Sequence, residues 1–152
     1  MSRRLDADYW NNKFPKAPII YSGRALRGSS ERIGIDVKSF IKENDELVRK
    51  TVDNYNLRER SKDRTAEKIQ RFVVNTFTYK YDDDSVNVPE FWQFPFESLQ
   101  SGIGDCEDGA ILIASLLINA GVPEWRVKVA AGYVQAEPTA PQGGHAYCIY
   151  LA

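Results

Sequence analysis

The stretch Gly104-Asp105-Cys106-Glu107-Asp108-Gly109-Ala110 decides the fold, because this polar turn leads directly into the apolar residues 111–120. Those residues are apolar on nearly every face, a pattern that predicts a buried helix rather than an amphipathic surface helix. Asp105 is a good N-cap for that helix, and Asp108 stands three residues later, where a capping-box acid belongs. The stretch therefore predicts a buried central helix with Cys106 in its first turn.

The sequence also predicts where this helix ends. Gly121 fits the position just past the last helical turn, and Pro123 prevents the helix from continuing. Cys106 consequently faces the positive end of the helix dipole and several unpaired backbone N–H groups. Both features favour a thiolate over a thiol. The sequence thus predicts a reactive cysteine.

Composition limits the classes of protein to consider. The chain has 152 residues, a net charge of −1, 43% hydrophobic residues and 27% charged residues, values typical of one globular domain. The small net charge argues against a nucleic-acid partner or a membrane surface as partner. No apolar run reaches the roughly 18 residues of a membrane span, and the N-terminus lacks the apolar core of a signal peptide.

Cysteine usage indicates the compartment. Two cysteines, far apart in the sequence, are not a disulfide framework. They suit a reducing environment in which a thiol stays free. We therefore expect a cytoplasmic protein, and nothing in the sequence calls for a cofactor or a resident metal.

The N-terminal residues 1–35 are predicted to be an irregular arm. Prolines and glycines interrupt them at Pro15, Pro18, Gly23, Gly28 and Gly34. A short edge strand is expected at residues 19–21. Three arginines make the arm locally basic, at Arg24, Arg27 and Arg32. We expect this arm to be a solvated extension, because runs of charge are usually solvated. The alternative is that the arginines bind a partner or a phosphate.

The rest of the chain, residues 36–152, is predicted to form the domain. Apolar residues at three- and four-residue spacing predict a helix over residues 36–55, capped by Asp36. A second helix is expected to begin near Thr65, to bury Thr76 among its inward-facing residues, and to run into an extended segment.

Two stretches before the central turn have more than one interpretation. Residues 82–90 begin with three aspartates, but as a calcium loop they lack the glycine at the sixth position, and Gln93 stands where the bidentate glutamate belongs. A solvated loop is the preferred interpretation. The aromatic residues 91–96 are expected to form a lid or wall for the central turn or part of the core, and the two roles are compatible.

Two antiparallel strands are predicted after the helix, at residues 127–134 and 145–151. Period-two alternation places His145 with Tyr147 on one face, and Ala146 with Cys148 on the other. A lone histidine or a lone cysteine is more often structural than catalytic. Here, however, a helix N-terminus and a strand end can meet where the helix packs on the sheet, and this arrangement favours a Cys–His pair. A zinc site formed by Cys106, His145 and Cys148 is disfavoured, since His145 and Cys148 point to opposite faces.

Three segments together resemble a known family. They are the Gly-Asp-Cys-Glu-Asp-Gly-Ala turn, the apolar helix ending in Asn-Ala-Gly-Val-Pro, and the Gly-Gly-His-Ala-Tyr strand. This combination resembles the transglutaminase-like superfamily, most closely its bacterial cysteine-proteinase-like branch. Residues 92–99 are similar to the segment that precedes the cysteine in that branch. The resemblance covers roughly residues 65–152 and implies a papain-like α+β fold, with N-terminal helices and a buried central helix packed on an antiparallel sheet.

The resemblance also implies functional roles. It makes Cys106 and His145 catalytic, and analogy with papain-like sites suggests Gln93 as a side-chain donor in the oxyanion hole. The family's third residue, an aspartate on the strand after the histidine, has no counterpart before Ala152, so we expect a fragment or an impaired enzyme.

The implied activity is thiol-dependent hydrolysis of amide bonds in a peptide or protein substrate. There are two alternatives. One is protein-glutamine acyl transfer, and the other is a non-catalytic module that uses the same fold to bind peptides or to assemble. The sequence leaves the oligomeric state open.

Overall fold

The computed structural model describes residues 5–17, 20–25, 32–80 and 92–152. The helices and strands in these ranges are α1 (Ala7–Lys13), β1 (Ile20–Ala25), β2 (Arg32–Asp36), α2 (Glu46–Asn54), α3 (Lys62–Thr76), β3 (Thr78–Tyr79), α4 (Pro95–Ser101), β4 (Ile103–Gly104), α5 (Cys106–Asn119), β5 (Val127–Val134) and β6 (Gly143–Tyr150). Single 3-10 turns lie at Val37–Phe40 and Glu124–Arg126. This mixture of helices and small sheets confirms the predicted α+β class. Within the described ranges, no helix has the length and apolarity needed to cross a membrane.

Helix α5 is the centre of the fold, as the sequence predicted. The Asp108 carboxylate accepts a hydrogen bond from the Asp105 backbone N–H at 3.2 Å, which forms the expected capping box. Gly121 follows the helix with a φ of 88°, a left-handed conformation that glycine adopts without strain. Helices α2, α3 and α4 and both strands of the β5–β6 sheet contact α5. The helix is therefore enclosed by the other elements.

The β5–β6 sheet determines which side chains face α5. The two strands pair antiparallel, with Ala131 opposite Ala146 and Gly132 opposite His145. Ala146 is buried and Cys148 packs against the core, whereas His145 and Tyr147 are exposed. The predicted division of faces is confirmed. It places the His145 side chain on the face of the sheet that points away from α5.

Two groups of buried side chains form the core. The larger one joins α2, α3, α5 and the start of β5, and it includes Val48, Val52, Ile69, Val73, Leu112, Leu116 and Val127. The smaller one contains Val37, Phe40 and Ile111, with Trp92 and Phe94 packed against it. The Phe40 and Phe94 rings stack with centroids 4.6 Å apart. Trp92 and Phe94 therefore pack on the core, as one of the two interpretations predicted, and their role as a lid stays a prediction.

The N-terminal region corrects one prediction. The arm expected to be irregular contains α1, which Asp6 caps by accepting a hydrogen bond from the Tyr9 N–H at 3.1 Å. It also contains the antiparallel β1–β2 pair. A helix of seven residues is too short to show a clear apolar period, and this explains why the sequence did not indicate it. The side chains of Arg24, Arg27 and Arg32 lie outside the described residues.

The helix predicted over residues 36–55 is interrupted. Asp36 caps only the 3-10 turn, accepting from the Lys38 N–H at 2.9 Å, and a second cap, Asp45, begins α2. Asn44 breaks the helix because its φ is 56°, outside the helical region.

Helix α3 and its exit differ from the prediction in detail. The helix begins at Lys62 after the N-cap Ser61, three residues earlier than expected. Thr76 is exposed rather than buried, and its hydroxyl donates to the Phe72 carbonyl at 2.6 Å. The extended exit forms β3, which pairs in parallel with β4. The predicted loop at 82–90 lies outside the described residues.

Candidate functional site

Cys106 lies where the N-terminus of α5 meets β6. Its side chain is half-buried, and its sulfur accepts a hydrogen bond from the backbone of Ala146. The helix begins at this residue because Asp105 and Asp108 form the capping box. The sequence therefore located correctly both the helix start and the strand that faces it.

Glu107 is the side chain that most directly affects the thiol. The Cys106 sulfur donates a hydrogen bond to Glu107 Oε2 at 3.2 Å. Glu107 is only 6% exposed, and within the described part of the chain its other oxygen, Oε1, has no hydrogen-bond partner. A buried carboxylate next to a sulfur opposes negative charge on that sulfur.

The protonation state of Cys106 consequently differs from the prediction. Burial raises the pKa of the thiol to about 11, and the hydrogen bond to Glu107 and the charges of Glu107 and Asp105 act in the same direction. The hydrogen bond from Ala146 acts in the opposite direction but is outweighed. The helix terminus alone favours a thiolate, but burial beside two carboxylates favours the thiol. In this arrangement Cys106 is protonated at neutral pH.

Asp108 joins the segment before α4 to the cysteine turn. Its carboxylate is fully buried and accepts from the Gln93 backbone N–H at 2.8 Å, from Gln93 Nε2 at 2.9 Å, and from the Asp105 N–H at 3.2 Å. Burial raises the pKa of Asp108 to about 6, and these N–H donors act against that rise. The network fixes the start of α5 in place.

Gln93 is buried within this network. Besides its bond to Asp108, its Nε2 donates to the Ile103 carbonyl at 3.1 Å. The amide nitrogen thus donates to two protein acceptors, the Asp108 carboxylate and the Ile103 carbonyl. The oxyanion role of Gln93 stays a prediction, and it would require one of these bonds to be exchanged for the substrate.

His145 is the neighbour in β6 of Ala146, whose backbone contacts Cys106. The His145 side chain itself does not reach Cys106. Its imidazole stacks on Tyr147, with centroids 5.9 Å apart, on the face of the sheet away from α5. Among the described residues, the hydrogen bonds of Cys106 go to Glu107 and Ala146, and none joins Cys106 to His145. The structure therefore brings together the two backbone elements of the predicted pair but not their side chains.

The described residues contain no group of three or more histidine, cysteine, aspartate or glutamate side chains able to hold a metal ion. His145 and Cys148 point to opposite faces of β6, as the alternation predicted. The aspartates at 82–84 lie outside the described residues.

Sequence reasoning overlooked two features of the site. It gave Asp108 a capping role but not the link to Gln93, fifteen residues away, because a contact between separate segments leaves no local pattern. It also did not single out Glu107. The available signal was a charged residue at the start of an otherwise buried helix, since such a charge is rarely buried without a partner.

The sequence profile of a family described as "transglutaminase-like domain" matches residues 49–146. The match covers more than half of the chain and includes both Cys106 and His145. It begins in α2, earlier than the resemblance in the sequence indicated. A search of curated proteins found no match to the chain.

Proposed function

The chain belongs to the family of transglutaminase-like domains, and from this premise we propose that it is a thiol-dependent amide-bond hydrolase. Cys106 is the nucleophile and His145 the general acid and base, and the substrate is a peptide or protein. The observation that carries the proposal is that Cys106 begins a buried helix and contacts β6 at Ala146, the residue next to His145. The two free cysteines support a reducing, cytoplasmic compartment.

The reaction follows from these residue types. His145 takes the thiol proton, the Cys106 sulfur attacks the amide carbonyl carbon, and backbone N–H groups at the helix start stabilise the oxyanion. His145 then gives the proton to the leaving amine as the C–N bond breaks, which leaves a thioester. Water attacks the thioester with His145 as base, and the acid product and the free thiol are released.

The proposal requires a local change in β6. The imidazole must turn from the Tyr147 side of the sheet to the α5 side, and the thiol must lose its proton. The residues before the histidine are Gly143 and Gly144, and there is open space around both positions. Two adjacent glycines permit a backbone change that other residues would resist.

Turnover of a generic substrate tests the proposal. Hydrolysis of dye-quenched casein is expected for the full chain and is expected to fall by roughly a thousandfold or more in Cys106→Ala and in His145→Ala. Cys148→Ala is the matched control. Cys148 is the other free cysteine and lies on the same strand as His145, but it has no part in the proposed mechanism. Equal activity of Cys106→Ala and the unmodified chain would refute the proposal.

A second assay distinguishes acyl transfer from hydrolysis. If an amine rather than water resolves the thioester, dansylcadaverine is incorporated into dimethylcasein, and this incorporation depends on Cys106.

A non-catalytic peptide-binding or assembly module is the second candidate. It is favoured by one observation, the separation of the Cys106 thiol and the His145 imidazole on opposite sides of β6. This candidate predicts no turnover in either assay. It also predicts that iodoacetamide labels Cys106 no faster than it labels free cysteine, and that His145→Ala does not change the rate.

A further inference from the structure

A groove of about 650 Å³ lies away from Cys106, along the edge of β5 that does not pair with β6. One wall consists of the consecutive β5 residues 127–131, and the other contains residues 13–17 and the turn at 36–38. Ile41, Ile118 and Ile149 add apolar side chains to the lining. The groove is therefore an apolar channel beside a strand.

The consecutive lining residues show which part of β5 faces the groove. Neighbouring side chains on a strand point to opposite faces, and the lining also includes Ile118 of α5 on one side of the sheet and Ile149, the partner of Lys128, on the other. A groove that contacts both faces passes around the edge of β5 that does not pair with β6. In the described part of the chain β5 pairs with β6 alone. In an antiparallel pair, alternate N–H and C=O groups point away from the partner strand, here toward the groove. The groove thus presents backbone hydrogen-bonding groups as well as apolar side chains.

The lysines that line the groove outnumber the carboxylates by one. They are Lys13, Lys16, Lys38 and Lys128, against Asp36, Glu43 and Glu124. Lys16 and Lys38 share one carboxylate, that of Glu124, at 2.8 Å and 3.8 Å. Lys128 donates to a neutral group, the side-chain oxygen of Asn11, at 2.7 Å. Burial and the charge of Lys16 lower the pKa of Lys128, as expected for ammonium groups held close together. An added carboxylate would relieve this repulsion.

We propose that the groove binds an extended peptide segment with carboxylate side chains, which adds as a third strand to the free edge of β5. The strand edge supplies backbone pairing, the apolar lining accepts alternate side chains, and the lysines select carboxylates. A free fatty acid would satisfy the apolar lining and the lysines, but it would leave the backbone groups of β5 unused. The exposed backbone therefore favours a peptide. This site is separate from the Cys106 site and does not depend on the proposed activity.

Binding of a synthetic probe tests the proposal. The probe is a blocked, dye-labelled heptapeptide that alternates glutamate and valine, measured by fluorescence anisotropy with full-length Cys106→Ala protein so that turnover cannot interfere. We expect saturable binding that weakens with added salt. A Lys38→Glu, Lys128→Glu double variant is expected to bind roughly tenfold more weakly. Lys50→Glu, on α2, is the matched control and is expected to bind normally.

Backbone pairing is tested without changing the protein. Two versions of the probe carry N-methyl groups on alternate residues, in one register or in the other. Strand addition predicts that one version binds roughly tenfold more weakly and that the other binds like the parent, because only alternate N–H groups enter the ladder.

Four results would overturn the proposal. They are no binding at about 1 mM probe, equal binding of a lysine–valine heptapeptide, equal binding by both N-methylated versions and the parent, or unchanged binding by the double variant while it remains folded. Displacement of the probe by dodecanoate, together with insensitivity to N-methylation, would assign the groove to amphipathic anions instead.

Discussion

The Cys106 thiol donates a hydrogen bond to the side chain of the next residue, Glu107, with Sγ 3.2 Å from Oε2. Both residues lie in the first turn of α5, where the helix terminus favours negative charge on sulfur. The buried carboxylate and the loss of solvent outweigh that effect, so that the pKa of Cys106 rises to about 11. The protonation state of the thiol is therefore controlled by its neighbour as well as by its place on the helix.

Glu107→Gln should make Cys106 more reactive at neutral pH. The substitution keeps the size of the side chain but removes the charge that opposes the thiolate, so the pKa of Cys106 falls. At pH 8 the alkylation rate should rise roughly tenfold for each unit by which the pKa falls. The measurement is the rate of iodoacetamide labelling of Cys106 from pH 6 to pH 11, followed by mass spectrometry.

Glu137→Gln is the control for this experiment, since Glu137 is an exposed loop residue. Its labelling profile should match that of the unmodified chain. If Glu107→Gln also gives an unchanged profile, Glu107 does not set the protonation of the thiol.

Asp108 should make the stability of the fold depend on pH. Its pKa is raised to about 6 from an ordinary value of 3.8, so the folded state binds the proton more tightly than the unfolded state. Its contribution to stability is therefore fully present below about pH 4 and is lost as the pH rises through 6. Two pKa units correspond to roughly 3 kcal/mol of unfolding free energy.

Urea unfolding at pH 4, 5, 6 and 7 measures this effect. The difference in unfolding free energy between the unmodified chain and Asp108→Asn should change by roughly 3 kcal/mol over that range, because the amide does not titrate. Asp8→Asn, at an exposed position in α1, should give a curve parallel to that of the unmodified chain. A parallel curve for Asp108→Asn would show that the buried carboxylate does not titrate in this window.

Gln93→Ala should destabilise the fold. It removes one hydrogen bond to the buried Asp108 carboxylate and one to the Ile103 carbonyl, and a bond to a charged group contributes about 1.5–3 kcal/mol. Thermal unfolding measures the loss, and Gln100→Ala, at an exposed position, is the control. If Gln93→Ala lowers casein hydrolysis but leaves the unfolding temperature unchanged, the oxyanion role gains support over the structural one.

The elements predicted correctly from the sequence are those with local signals. Helix α5 has a capping acid at Asp105, a continuous apolar run and a glycine after its last turn, and β6 has a clear period-two pattern. The features that were missed depend on contacts between distant segments. The bond from Gln93 to Asp108 and the burial of Glu107 are set by how α4 and β6 pack on α5. The same packing makes Cys106 a thiol, which its position on the helix alone could not reveal.

The site also depends on close approach of the backbone at Gly104, the residue before the N-cap. A methyl group there would lie 2.6 Å from Asp108 Oδ2 and 2.6 Å from the Phe77 ring. Both neighbours are packed, so neither can move away without cost. Gly104→Ala should therefore destabilise the fold by about 1–3 kcal/mol, as overpacking of a core does, and should disturb the bond from Asp108 to Gln93.

Gly132→Ala is the matched control for this prediction, because a methyl group at Gly132 meets nothing within 4 Å. Its unfolding free energy should equal or slightly exceed that of the unmodified chain, since alanine reduces the freedom of the unfolded state. Urea unfolding of both variants measures the difference, and amide exchange at Gln93 reports on its bond to Asp108. Equal stability of the two variants would mean that the turn before Cys106 has room for a side chain, contrary to the close approach of Asp108 and Phe77 to Gly104.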